Sequence, residues 1–161
     1  MKQLTHVSDG GFARMVDVGA KKVTLRIAIA SAEVKISQAL RARLASNTMP
    51  KGDVLAVARI AGIMAAKRTA DLIPLCHPLP LDGIEIDVSL ADEAVVLRAR
   101  VSTSARTGVE MEALTAVSVA ALAVYDMCKS VDRGMEILHV RLEEKRGGKS
   151  GKFSRPAKTS P

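Results

Sequence analysis

"GIEIDVSLADEAVVLRARVSTSA", residues 83–105, decides the fold. Apolar residues fall at every second position on either side of "ADE" (91–93), first Ile84, Ile86 and Val88, then Val95, Leu97, Ala99 and Val101. A period of two with a break in the middle predicts antiparallel strands over 83–90 and 94–105, joined by a tight turn. Downstream, "EALTAVSVAALAVYDMCKSV" (112–131) has helical character and is apolar almost all round until Tyr125. A helix of that kind is covered on both sides, here by its own sheet and by another subunit. "MEILHVRLEEK" (135–145) then returns as a strand.

Upstream, "VLAVARIAGIMAAKRTADLI" (54–73) predicts a helix that Asp53 caps and Pro74 ends. "KVTLRIAIASAEVKI" (22–36) alternates and predicts a long strand bent near Ser31, and Ser37 is the N-cap of a helix over 37–46. "RMVDV" (14–18) predicts a short strand after an irregular arm over 1–13. The series contains β-α-β-β-α-β, the split arrangement of an α+β, ferredoxin-like fold: an antiparallel sheet with helices packed on one face.

Composition narrows the function classes. No apolar run approaches ~20 residues, the start lacks a secretory h-region, and two cysteines make no disulfide framework, which together predict a cytoplasmic protein with no membrane span. Six of the 24 basic residues lie in 145–161, a stretch without acids, leaving 18 basic against 17 acidic elsewhere. The net charge of +7 is therefore mostly a Gly-rich tail, not a basic face. With 2% aromatic residues the chain lacks stacking platforms, which argues against a ferredoxin-like RNA-binding module.

Three groups of residues could carry chemistry. "DLIPLCHPLPL" (71–81) fixes Cys76 and His77 between prolines in a stiff extended segment. In "TGVEMEAL" (107–114), Glu110 and Glu112 share a side if the lead-in is extended, and serve equally well as partners of a helix dipole. In "YDMCK" (125–129), Asp126 and Lys129 share a helix face, either as a solvent-edge salt bridge or as an acid–base pair tuned by partial burial. Glu112 and Asp126 are ~21 Å apart along one helix, so a site using both needs a second subunit. Cations accompany them: Arg26, Lys51 in the constrained "MPKGD" turn, Lys67 and Lys145. "RGGKSG" (146–151) is not a Walker A loop, although its glycines let backbone N–H groups approach an anion. Cys76-His77 lacks further ligands at metal spacing, so no metal site is expected.

With these motifs in place, the sequence resembles the cyclic pyranopterin monophosphate synthase family of molybdenum cofactor biosynthesis. The resemblance rests on "LTHV", "MVDV", "KGDVLAVARIAGIMAAKRTADLIPLCHPL", "TGVEMEALTAVSVAALAVYDMCK" and "GGKSG", about residues 4–153. It implies one catalytic domain over 1–153 and a hexamer built as a trimer of dimers with sites between subunits; the basic stretch 154–161 lies outside it and reads by composition as a flexible tail. The implied reaction turns 3′,8-cyclo-7,8-dihydro-GTP into cyclic pyranopterin monophosphate plus pyrophosphate, through attack of a sugar hydroxyl on the α-phosphate. It implies Asp126, Lys51 and Lys129 as catalytic residues. Leu75, Cys76, His77, Met111 and Glu112 are implied as substrate contacts, with Arg26, Lys67 and Lys145 as site-lining cations. Glu110 or Glu112 would then accept from the guanine-derived edge. No cofactor is demanded, and Mg²⁺ would enter through the substrate triphosphate. A nucleotide-sensing subunit that binds without turnover is the rival that shares this pocket.

Overall fold

A computed structural model describes residues 11–156 of the chain. "LTHV" and the end of the basic tail lie outside the described residues. Among those described, the order is β1 (Thr24–Lys35), α1 (Gln38–Ala45), α2 (Val54–Ala66), α3 (Thr69–Leu72), β2 (Gly83–Leu90), β3 (Ala94–Ala105), α4 (Glu110–Cys128), β4 (Glu136–Arg146) and β5 (Phe153–Ser154). The sheet runs β2-β3-β1-β4-β5, and every neighbouring pair is antiparallel. This is the α+β, ferredoxin-like order, with the 83–105 hairpin forming one flank.

Strand alternation builds the core. Ala28, Ala30, Ala32 and Val34 of β1 are fully buried, as are Val95, Leu97, Ala99 and Val101 of β3. They lie on the face that α4 covers. The small alanine side chains let helix and sheet approach closely, and the buried core is Ala, Val, Ile, Leu and Met as the scarcity of aromatics requires. α4 is long and apolar enough to cross a membrane by length and composition, but 56% of it is buried against this fold, the mark of a core helix.

Four expectations need correction. Residues 14–18 form no strand, and the chain turns directly after them, where Asp17 accepts from Gly19 N at 2.7 Å and Lys21 N bonds Val18 O. The helix over 54–73 breaks after Ala66 and resumes at Thr69: Arg68 N closes a tighter turn on Ala65 O at 3.0 Å, and the buried Thr69 hydroxyl donates to Ala66 O at 3.0 Å. α4 begins at Glu110, earlier than its apolar pattern suggests. Its outer cover comes from the same chain: a Cβ on Gly62 of α2 would lie 3.1 Å from Ala116 O and 3.4 Å from Ala120 Cβ. Exposed apolar residues remain on α2, at Val57, Ile60 and Met64, on α4 at Leu122, and on β4 at Ile137, Leu138 and Val140.

Beyond Arg146 the chain makes a glycine turn and pairs again with β4. Ser154 opposes Glu144, and Arg155 donates to Glu143 O and Leu142 O, both at 2.8 Å. Ser154 and Arg155, assigned to the tail by sequence, are thus fastened to the sheet.

Candidate active site

At the end of α4, one carboxylate meets two ammonium groups. Lys129 Nζ lies 2.7 Å from Asp126 Oδ1, and Lys51 Nζ lies 3.0 Å from Oδ2 and 3.0 Å from the Asp126 carbonyl. Local sequence places Lys51. Pro50 starts a turn closed by Gly52 N to Met49 O, Gly52 takes φ +88°, and Asp53 caps α2 by accepting from Ala56 N at 2.9 Å. All three side chains are about half exposed. Partial burial, the tuning expected from sequence for Asp126 and Lys129, is therefore not what shifts that pair. Hydrogen bonds from Lys129 and Lys51 hold the Asp126 carboxyl down at about 2, and the hydrogen bond to Asp126 raises Lys129 above its ordinary value. In the protomer, the Asp126 carboxylate thus favours the ammonium form of Lys129.

The other end of α4 opens on a cavity of about 380 Å³, lined by Leu75, Cys76, His77, Thr107, Gly108, Glu110 and Met111, with Val16, Val18 and Lys21 from the arm. The proline-braced segment does present its Cys-His pair here. Because α4 starts at Glu110, the two glutamates are helical and diverge by ~200°, correcting the extended lead-in on which they would share a side. Their environments separate accordingly. Glu110 is partly exposed and pairs with Lys145 at 3.6 Å. Glu112 is 3% exposed, and the Cys76 thiol donates to its Oε1 at 3.6 Å. Its Oε2 is buried and has no hydrogen-bond partner among the described residues. Burial raises the Glu112 carboxyl, and burial followed by repulsion from Glu112 pushes the Cys76 thiol up to about 11. An orphaned carboxylate oxygen costs about 1–3 kcal/mol, which a ligand N–H donor would recover.

The remaining cations divide. Lys145 bridges Glu110 and the Ser150 hydroxyl at the rim of this end. Arg26, on the helix-facing row of β1, spends its guanidinium on backbone: Nε lies 3.4 Å from Ala105 O and Nη2 3.3 Å from Arg106 O. Lys67 is exposed as the C-cap of α2 and lines neither cluster. One protomer therefore carries two clusters ~21 Å apart along α4, with Lys51, Asp126 and Lys129 at one end and the Cys76–Glu112 pair beside the cavity at the other. Val16, Val18 and Lys21 were missed as lining residues because "RMVDV" reads as a strand. The D-x-G turn at 17–19 was the available signal.

The sequence matches the MoaC family over residues 15–148. The chain is 61% identical over 153 residues to the cyclic pyranopterin monophosphate synthase of Streptomyces avermitilis, covering 95% of this chain and 90% of that one. It is 60% identical over 155 residues to the enzyme of that name from Roseiflexus sp., covering 95% and 98%. The protein of that name from Novosphingobium aromaticivorans is 56% identical over 151 residues, covering 94% and 96%. The chain belongs to the MoaC family.

Proposed function

We propose that this protein is a cyclic pyranopterin monophosphate synthase, a lyase that converts 3′,8-cyclo-7,8-dihydro-GTP into cyclic pyranopterin monophosphate and pyrophosphate in molybdenum cofactor biosynthesis. The observation that carries the reading is the meeting of Lys51 and Lys129 on the Asp126 carboxylate, at 3.0 and 2.7 Å, in a chain so similar to enzymes of that name.

The residues divide the work by charge state. Asp126 stays anionic and keeps Lys129 protonated, so Lys129 is suited to donate a proton or to stabilise negative charge as the ring system opens and recloses. Lys51 adds a second positive charge at the same point. Glu112, buried behind Cys76, offers its unpartnered Oε2 to the N–H edge of the guanine-derived ring, and His77 and Leu75 bound the adjoining cavity. Lys145, and Arg26 nearby, favour the triphosphate and the departing pyrophosphate. Lys67 would contribute only from a neighbouring copy. Mg²⁺, where required, arrives on the triphosphate, and no nucleic acid or membrane takes part in the cytoplasmic reaction.

The two clusters cannot meet within one protomer. An assembly of copies, a hexamer arranged as a trimer of dimers, supplies the Lys51–Asp126–Lys129 end of one subunit to the Cys76–Glu112 cavity of another. The exposed apolar residues of α2 and of β4 offer surfaces for such contact.

The deciding experiment is pyrophosphate release from the cyclised GTP derivative by the purified protein, with Lys129→Ala alongside. Release by the parent and its loss in the variant is the expected outcome. Tight binding without release by either protein would replace the enzyme with a nucleotide-sensing subunit.

A further inference from the structure

Two consecutive glycines follow β4, and both take left-handed backbone: Gly147 at φ +93° and Gly148 at φ +79°. What each would meet with a side chain differs. A Cβ on Gly147 would lie 2.2 Å from the backbone carbonyl of Leu25, so the turn itself would have to move. A Cβ on Gly148 would lie 1.7 Å from Arg26 Nη1 and 2.7 Å from its Cζ. The obstacle there is the far end of a flexible side chain, and Arg26 alone would have to move.

The place Arg26 would leave matters. Its guanidinium holds Ala105 O and Arg106 O at the end of β3, directly before Thr107 and Gly108 of the cavity wall. The glycine turn leads to Ser150, whose hydroxyl accepts from Lys145, and Lys145 pairs with Glu110 at the start of α4. Arg26, the turn, Lys145 and Glu110 thus form a closed circuit around the cationic rim.

We propose that Gly148 is a positioning residue: its missing side chain is the slot that seats the Arg26 guanidinium, which ties the end of β3 to the glycine turn and sets the rim that takes the substrate's polyphosphate. The polyphosphate part rests on the function proposed above; the slot itself does not.

Gly151 separates the slot from backbone strain. It takes φ +67° but has nothing within 4 Å of an added Cβ, so Gly151→Ala pays the left-handed strain without touching Arg26. The experiment compares the parent with Gly148→Ala, Arg26→Ala, their double variant, and Gly151→Ala. It measures pyrophosphate affinity by calorimetry and amide hydrogen exchange across 105–111. Gly148→Ala and Arg26→Ala should each weaken pyrophosphate about tenfold or more and speed exchange at 105–111. The double variant should match Arg26→Ala within about twofold, because the added methyl then meets no guanidinium. Gly151→Ala should stay within about twofold of the parent. Arg26→Lys keeps the charge without the fork and gives the same loss in a chain that folds if Arg26→Ala does not. Unchanged exchange in Gly148→Ala, an equal loss in Gly151→Ala, or a double variant worse than Arg26→Ala by the full Gly148→Ala factor overturns the slot. Faster exchange in Gly148→Ala alongside a parent that does not bind pyrophosphate upholds the slot and overturns the polyphosphate reading.

Discussion

Lys51 and Asp126, 75 positions apart in sequence, meet twice: one ammonium donates to both the carboxylate and the backbone carbonyl of the same residue, each at 3.0 Å. The carbonyl belongs to the last turn of α4, where such groups lack helical partners, so Lys51 also caps the helix that carries Lys129. This end of the site is therefore assembled by the fold before any ligand arrives.

Asp126→Asn tests what that assembly does. The variant keeps the shape but leaves two ammonium groups without an anion, and Lys129 loses the contact that raises it. Turnover should fall by about tenfold to a thousandfold, and any alkaline limb of the pH–rate profile should move to lower pH. The parent's acid limb should not report Asp126 above pH 4. Its carboxyl sits at about 2 against an ordinary 3.8, so the stability it lends is present above 3.8 and fades only as pH falls toward 2. An alkaline limb unmoved in Asp126→Asn would remove Lys129 from the chemistry.

Glu112→Gln should separate stability from activity. Burial raises the parent's carboxyl above its ordinary 4.5, so the folded state loses stability as pH rises from 4.5 through the raised value. The amide carries no such penalty. Its Tm should exceed the parent's at pH 8 and converge with it near pH 4, while turnover drops by about a hundredfold or more because the acceptor for the ring edge is altered. A lower Tm at pH 8 would mean that the buried carboxylate is structural.

Thr69→Val addresses the helix break that the sequence hides. The buried hydroxyl donates to Ala66 O at 3.0 Å, and an isosteric methyl removes that donor while Ala65 O keeps the bond from Arg68 N. Thermal or urea unfolding should show a loss of about 1–3 kcal/mol. No loss would mean that Pro74 alone ends this helical stretch.

Legibility followed periodicity. The hairpin over 83–105 alternates along both strands, and Ser37 and Asp53 cap their helices as their positions predict. Where local hydrogen bonds interrupt a pattern, the pattern misleads: Arg68 N turns onto Ala65 O between α2 and α3, and Asp17 accepts from Gly19 N in the turn that follows the segment reading as a strand. The site residues were recognisable as motifs, but their grouping was not. That Lys51 joins Asp126, that Cys76 joins Glu112 and that Arg26 faces backbone carbonyls are tertiary facts with no local signal.

The two ends of α4 make the last prediction. Asp126 and Glu112 lie ~21 Å apart on one rigid helix, farther than a single substrate's reacting centre can bridge, so an isolated protomer should be inactive even when folded. α2 offers one exposed apolar surface, with Ile60 at 58% and Met64 at 53% exposed. Ile60→Glu puts a charge on that face without entering the core, so it should leave the fold and Tm of the protomer close to the parent's while releasing smaller species in sedimentation or light scattering. Turnover should fall with the assembly, by about a hundredfold or more, and mixing Ile60→Glu chains with Lys129→Ala chains should restore none of it if the charged face cannot dock. A variant that dissociates but keeps full turnover would show that each protomer completes its own site, and a variant that stays assembled would move the contact away from α2.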